Sequence, residues 1–411
     1  MSGQTTSNSK PLITTFSYAA EEVIKTLFKT FMSPMGIVAG AIVVLGLFLT
    51  FLRFTGGLGA VTNLSDYNAW GIWIGFDLLT GVALAAGGFV TSAAVYIFGM
   101  KKYHFAVRPA ILTGFLGYAL VVLALVYDVG RPDRLILGYP FVVSQGTTSV
   151  LFEVGLCVML YLTVLFVEFC PAALEWLGLK KARYLIIKLT LVLTIFGVIL
   201  STLHQSSLGA LFLLAHSKLH PLWYSSYLPV FFFVSAVFAG LSMVIFESTL
   251  SHRHFAHQMG EEHLKGREDL AFGFGKAAAL VLAGYFAIKI VGITADHNWD
   301  LLGTSYGAWF LVELLGFVAL PCFLYSIGVR DRNLKIIQWA AGWTVFGVML
   351  NRLNISVIAF NYHLPSADRY FPNWMEIGIS LFIVTVGILA FKVIGTLMPI
   401  FYEHTEFKDL H

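Results

Sequence analysis

The sequence predicts an all-α polytopic membrane protein of ten transmembrane helices, and three observations carry that expectation. Of its 411 residues, 58% are hydrophobic and only 12% charged, whereas a soluble domain carries about 25% charged residues. The mean hydropathy is +0.79. The apolar residues gather into stretches of the length, about 20 residues, that a helix needs to cross roughly 30 Å of hydrocarbon. These stretches are too long and too continuous for the alternating pattern, about ten residues per strand, of a membrane β-barrel.

Residues 1–34 read as a tail without the apolar core of a signal peptide, so no cleavage is expected. Within it Phe16, Ala19, Ala20, Val23, Ile24, Leu27 and Phe28 recur at helical spacing opposite Glu21, Glu22, Lys25 and Lys29, the pattern of an amphipathic interfacial helix. The ten spans are expected near 35–54, 71–99, 107–129, 149–172, 183–204, 227–250, 271–293, 306–328, 334–360 and 374–400, which makes 35–400 the membrane domain and 401–411 a second tail. The most hydrophilic connection, "HRHFAHQMGEEHLKGREDL" at 252–270, separates six spans from four and suggests two helical bundles.

Ten spans return both termini to one side. Sixteen Lys and Arg flank the spans on that side, against Arg53, Arg131, Arg134, Lys218 and Arg369 on the other. The positive-inside rule therefore places both termini in the cytoplasm. A net charge of +3 gives no reason to expect nucleic acid. The outward loops, "TNLSDYNAWG", "DVGRPDRLILGYPFVVSQGTTS", "HQSSLGALFLLAHSKLHPLWYSSY", "DHNWD" and "NYHLPSADRYFPNW", are rich in Trp, Tyr, Pro, Gly, Asn and His. An aromatic belt accounts for part of this; the excess suits a surface that docks another protein.

Cys157, Cys170 and Cys322 stand alone in apolar runs, so neither an iron–sulfur cluster nor a CxxCH haem attachment is expected, and core packing explains them. All twelve His fall in loops, tails or predicted span ends. No bis-His haem site is expected, and electrons for any redox chemistry must come from a separate protein.

Charged groups at membrane depth are costly, and each is a functional-site hypothesis. The outward half holds Asp77, Asp128, Glu153, Glu313, Arg352 and Glu376, with Arg131 and His204 at predicted helix ends; the cytoplasmic half holds Glu168, Lys188, Glu247, Lys276 and Lys392. Asp77 lies in "WGIWIGFDLLTG" with Trp73, and Gly71, Gly75 and Gly81 allow either close helix approach or room for a planar ligand. A structural Asp paired with a buried Arg is the alternative. His204 is followed by Gln205, Ser206 and Ser207, a donor-rich setting in which an imidazole that titrates near neutrality could serve a quinone carbonyl. A merely solvated His is the other reading. Asp128 and Arg131 could pair with each other, Glu153 could act as an acid or base, and Arg352 needs a counter-ion such as Glu313 or Glu376.

The segments "WGIWIGFDLLTGVALAAGG", "YHFAVRPA", "DVGRP", "SVLFE", "TLHQSSLG", "HPLW", "IFES" and "YFPNWMEIGIS" resemble, in order from about 35 to 400, the NrfD / polysulfide-reductase membrane-subunit family. Within it the likeness is nearest to HybB-type membrane subunits of nickel–iron hydrogenases and to the membrane subunit of the menaquinone reductase complex Qrc. The resemblance implies a quinone-binding subunit of a respiratory oxidoreductase complex in the bacterial inner membrane, active only with its partners and without haem or an iron–sulfur cluster of its own. Electrons would pass between menaquinone and a ferredoxin-like iron–sulfur subunit on the periplasmic face, with a hydrogenase, multihaem cytochrome or molybdopterin-type protein beyond. The second to fifth spans would carry the quinone site, with His204, Asp77 and Glu153 as catalytic groups and Asp128, Arg131, Gln205, Ser206 and Trp73 in support. Quinone chemistry could be coupled to proton translocation along Glu168, Lys188, Glu247, Lys276, Glu313, Arg352, Glu376 and Lys392, although helix packing explains any one of these.

Two other classes fit ten spans with buried charges. A secondary transporter would commonly show repeats and helices broken at mid-membrane, which the sequence does not show clearly. A purely structural anchor of a redox complex would hold no quinone, so copurifying menaquinone separates it from the first reading.

Overall fold

The computed structural model describes residues 16–133, 149–404 and 407. Lys10, Arg134, Lys408, His411, the 134–148 part of the second outward loop and most of the C-terminal tail lie outside the described residues, as do the side chains of Phe16 and Ala19. The described chain is helical, with one isolated antiparallel bridge between Leu219 and Phe360.

A helix occupies each predicted position. The amphipathic α1 is Phe16–Phe31. There follow α2 (Pro34–Gly56), α3 (Trp73–Ile97), α4 (Val107–Asp128), α5 (Val150–Trp176), α6 (Lys180–Leu213), α7 (Leu228–Phe255), α8 (Glu261–Ala295), α9 (Ser305–Arg330), α10 (Leu334–Leu353, continued by a π-helical turn over Asn354–Ile358) and α11 (Trp374–Leu397). Among the described residues, nine helices are long and apolar enough to cross a membrane; α10 is not one of them. Its "LKIIQWAAGWTVFGVMLNRL" spends four positions on Lys335, Gln338, Asn351 and Arg352.

Local chemistry starts several of these helices. Ser33 Oγ accepts from the Gly36 amide at 3.1 Å, and Pro34 occupies the first turn of α2, where a missing N–H costs nothing. Asn373 and Glu376 form a reciprocal capping box on α11. By contrast α3 is not regular. Its ends are π-helical at Trp73–Leu78 and Ala93–Ile97, and it turns at Ala85 and Ala86 between them. Widened turns of this kind displace side chains from the α-helical register and recur at functional sites.

Helices in a bilayer gain by close packing rather than by escape from water, so small residues mark their crossings. A Cβ on Gly240 of α7 would lie 2.7 Å from the Ala86 carbonyl carbon and 2.8 Å from the Gly87 nitrogen, so the two backbones touch where α3 turns. Through this crossing α7 packs on α3, and it also packs on α6, α8 and α10. The connection at 252–270, read as a bundle boundary, is largely helical: α7 runs to Phe255, Ala256–Gln258 makes a 3-10 turn, and α8 begins at Glu261. The apolar core passes across it, from Leu79 and Val82 through Phe232 and Ala236 to Ala278 and Ala341. A smaller cluster of Leu49, Trp73, Ala124, Tyr127, Ile379 and Phe382 joins α2, α3, α4 and α11.

One face of the helices is a knit of loops. Asn63 Nδ2 donates to the Phe371 carbonyl (3.0 Å), Asn68 Nδ2 to Asp368 (2.9 Å), Asn361 Nδ2 to Asn68 Oδ1 (2.8 Å) and Asn298 Nδ2 to Pro221 (3.1 Å). Asparagines of the outward loops thus join these loops to one another. On the opposite face Glu175 and Arg183, both buried, meet Arg108 and Glu403: Arg108 to Glu175 is 2.9 Å and Arg183 to Glu403 is 2.5 Å. The His404 amide donates to Glu175 at 2.7 Å. Two guanidinium groups balance two carboxylates, and the start of the C-terminal tail is fastened to the ends of α4, α5 and α6.

Candidate functional site

The centre of the α3–α6 region is built around His204. The fifth span was expected to end at this residue; α6 instead continues to Leu213. The polar run after His204 stays helical because its side chains find partners on other helices. Gln205 Nε2 donates to the Val82 carbonyl (3.0 Å), Ser207 Oγ donates to Glu153 (2.7 Å), and Leu208 and Phe212 are buried. His204 is therefore inside a helix and fully buried.

Both of its ring nitrogens are engaged. Nδ1 lies 2.8 Å from the Leu200 carbonyl oxygen, which can only accept, so Nδ1 carries the proton in this arrangement. Nε2 then accepts from Tyr118 Oη, a short bond between α6 and α4. Tyr161 of α5 packs edge-on against Tyr118, with ring centroids 4.7 Å apart. Tyr161 Oη and Ser201 Oγ are buried in the same region with no partner at hydrogen-bonding geometry. Four polar side chains, His204, Tyr118, Tyr161 and Ser201, thus meet in an apolar setting, an arrangement that can pass a proton. Tyr118 was not singled out from the sequence; the signal it offered is a hydroxyl at mid-span, which needs a partner when buried.

Asp77 lies apart from this group. It sits in the first π-helical turn of α3, is 8% exposed, and accepts from Ser380 Oγ of α11 at 2.5 Å. Trp73 Nε1 donates to the Glu376 carbonyl of the same helix at 3.2 Å. The three neighbouring glycines serve close approach: a Cβ at Gly71 would meet Tyr370 Oη, one at Gly75 would meet Ser356 Oγ, and one at Gly81 would meet Val121. Glu376 is buried in the cap of α11, accepting from the Asn373 amide (2.7 Å) and Tyr370 Oη (2.9 Å).

Glu153, expected as the third catalytic group, is exposed and accepts from Ser207; of the supporting residues, Ser206 is half-buried. Asp128 and Arg131 do not form the pair considered for them. Arg131 is exposed and bonds Asp133 at 3.1 Å. Asp128 interacts electrostatically with the buried Arg53, whose guanidinium donates to the carbonyls of Tyr127 (2.8 Å) and Val129 (2.9 Å) at the end of α4.

A second buried polar group lies among α7, α8, α9 and α10. Glu313, in the π-helical turn Val312–Ala319, accepts from Trp223 Nε1 (2.7 Å), Asn351 Nδ2 (2.6 Å) and Asn354 Nδ2. Arg352 donates to Asn351 Oδ1 (2.9 Å) and Ser235 Oγ (2.7 Å) and stands 3.9 Å from the centroid of the Phe232 ring. Glu313 rather than Glu376 is thus its acidic neighbour, through Asn351. Lys289, 3% exposed, points among the rings of Phe231, Tyr285 and Phe310, its ammonium 4.5 Å from the first. The sequence did not single it out, although a lysine within the predicted span 271–293 is the signal that could have.

The remaining ionisable residues divide by exposure. Glu168 accepts from Thr194 (2.9 Å), and the buried Glu247 accepts from Ser251 (2.5 Å). Lys276 is exposed, Lys392 is half-buried, and Lys188 is exposed with its ammonium over the Tyr184 ring.

A helical fold with several membrane-length apolar helices and a histidine-centred group among α3–α6 defines a multi-pass membrane protein, and sequence comparison places it more closely. The family profile described as "Polysulphide reductase, NrfD" matches residues 60–361, and the chain belongs to this family. A Nitratidesulfovibrio vulgaris protein is 64% identical over 383 residues, covering 93% of this chain and 98% of its own. The probable Ni/Fe-hydrogenase 2 b-type cytochrome subunit of Escherichia coli is 33% identical, covering 88% of this chain and 91% of its own. The integral membrane subunit of menaquinone reductase from N. vulgaris is 29% identical, covering 88% and 90%. The E. coli relative's name implies haem. Both nitrogens of His204 are engaged within the protein, so this residue as placed offers none to an iron.

Proposed function

We propose that the chain is the quinone-binding membrane subunit of a respiratory oxidoreductase complex, exchanging electrons between menaquinone and an iron–sulfur partner on the periplasmic face. The observation that carries this reading is the buried chain from Tyr118 through His204 to the Leu200 carbonyl, inside the family-matched region. Interconversion of quinone and quinol moves protons as well as electrons. A neutral imidazole with Nε2 in a hydrogen bond to a phenol can take a proton at that nitrogen and return it, and Tyr118 links it across to α4. Two relatives support the setting by their names, one a hydrogenase subunit and one a menaquinone reductase subunit.

Asp77, held by Ser380, is the second proton-bearing group of the proposal, and Glu153 with Ser207 marks the approach to α6 from the loop face. The excess of basic residues on the side of the termini supports an orientation with both termini in the cytoplasm, in this proposal at a bacterial inner membrane. Glu168, Glu247 and Lys392 on the cytoplasmic half, with Glu376 and the Glu313–Arg352 group on the outward half, are the candidates for proton movement; Lys188 and Lys276, being exposed, are weaker ones.

Affinity purification of the tagged chain from its native membrane tests the reading directly. Menaquinone in about equimolar amount and an iron–sulfur subunit are expected in the purified material. Recovery of an intact assembly with neither would sink it.

A further inference from the structure

A cavity of about 660 Å³ lies between α1 and the ends of α5, α7 and α11, well away from the His204 group. Its lining includes Lys25, Lys29, Lys392, His254 and His257, against one acid, Glu22. Lys25 is already neutralised, 2.7 Å from Glu21 and 3.6 Å from Glu22. Lys29 and Lys392 make no ion pair among the described residues, and His254, whose Nδ1 donates to the Leu250 carbonyl at 3.0 Å, keeps Nε2 for a ligand. The cavity therefore holds positive charge that no ion pair among the described residues compensates. Trp176 and Phe255 supply apolar wall beside it.

The other side of α1 is apolar and exposed. Ile24 and Phe28 of α1 are 65% and 66% exposed, and Met35 just beyond is 82% exposed, which for a helix lying in the interface is the side that meets acyl chains. A cationic hollow beneath an apolar, membrane-contacting helix matches an amphiphile with an anionic head. Basic pockets between membrane helices bind phospholipid headgroups by this chemistry.

We infer that this cavity is a binding site for an anionic phospholipid, its phosphate held by Lys29 and Lys392 with His254 beside them and its acyl chains lying along α1. The chemistry shared with free phosphate is the oxyanion; the apolar face of α1 favours the lipid. The site is independent of the quinone reading and can fail without it.

The purified full chain in neutral detergent, titrated with dioleoylphosphatidylglycerol and followed by native mass spectrometry, tests the inference. Saturable binding is expected for this lipid and not for dioleoylphosphatidylcholine, and inorganic phosphate at equal concentration should leave it undisturbed. The double variant Lys29→Ala, Lys392→Ala should bind about 10-fold to 30-fold more weakly, as expected for two surface lysines facing anionic lipid. Lys29→Arg, Lys392→Arg should bind as the wild type does. Equal lipid binding by the alanine variant overturns the inference, as does loss of binding in the arginine variant, or a site that takes inorganic phosphate and is indifferent to the lipid.

Discussion

Tyr118 Oη and His204 Nε2 share a buried hydrogen bond that joins α4 to α6, while the far nitrogen of the imidazole is tied to the Leu200 carbonyl. Neither ring reaches solvent. The Leu200 carbonyl, which can only accept, fixes the tautomer of the histidine and leaves Nε2 as the nitrogen able to receive a proton.

Removing the hydroxyl alone isolates this function. Tyr118→Phe keeps the ring and its edge contact with Tyr161 but leaves Nε2 without its donor. Quinone turnover by the assembled complex should fall about 100-fold to 10,000-fold, the range of a positioned acid or base, and His204→Ala should fall at least as far. Steady-state assays with a soluble quinone analogue, on complexes first shown to be intact, make the measurement. Wild-type turnover in Tyr118→Phe would exclude the relay.

Asp77→Asn asks a separate question because Asp77 has a separate partner. Asn preserves shape and can still accept from Ser380 Oγ, so the crossing of α3 with α11 should survive and the complex should assemble. Turnover should nevertheless drop by at least tenfold if the carboxylate carries protons, since an amide cannot. Unchanged turnover with normal assembly would leave Asp77 the structural role of tying α3 to α11.

The span positions and the family were legible because apolar runs of membrane length and ordered motifs are local properties of the chain. The pairing of buried groups was not. "HQSSLG" looks like the end of a span, and only the partners on α3 and α5 keep Gln205 and Ser207 in the helix. Asp128 and Arg131, three residues apart, look like a local pair, yet the cationic neighbour of Asp128 is Arg53, on α2. Glycines around Asp77 read equally as space or as contact, and the choice depended on Tyr370 and Ser356 from far along the chain.

Glu313 allows a stability prediction without reference to turnover. Its carboxylate accepts from Trp223, Asn351 and Asn354, and a buried donor left unsatisfied costs about 1–3 kcal/mol. Glu313→Leu should therefore destabilise the protein by about 3 kcal/mol or more, and Glu313→Gln, which keeps one accepting oxygen, by less. Thermal unfolding in detergent should rank wild type above Glu313→Gln above Glu313→Leu. A leucine variant as stable as the wild type would show that the three donors find other acceptors.

The loop face should carry a pH dependence that traces to His220. Its Nδ1 accepts from the Leu222 amide at 3.2 Å, and its ring stacks on Tyr306 with centroids 4.6 Å apart. Burial pushes the imidazole pKa below its ordinary value, which is about 6.5. The folded form thus binds a proton less readily than the unfolded chain does. Its contribution to stability is full above about pH 6.5 and is lost as pH falls toward and through the lowered folded value, with a slope of at most about 1.4 kcal/mol per pH unit. Hydrogen exchange reads this locally, because the backbone amide of His220 donates to Ala359 and the Asn361 amide donates to Lys218. Exchange across 218–223 and 359–364, corrected for its intrinsic pH dependence, should accelerate between pH 7 and pH 5. His220→Asn, which keeps an accepting atom near the position of Nδ1 but does not titrate, should flatten that response. An equal response in the two proteins would assign it to another group.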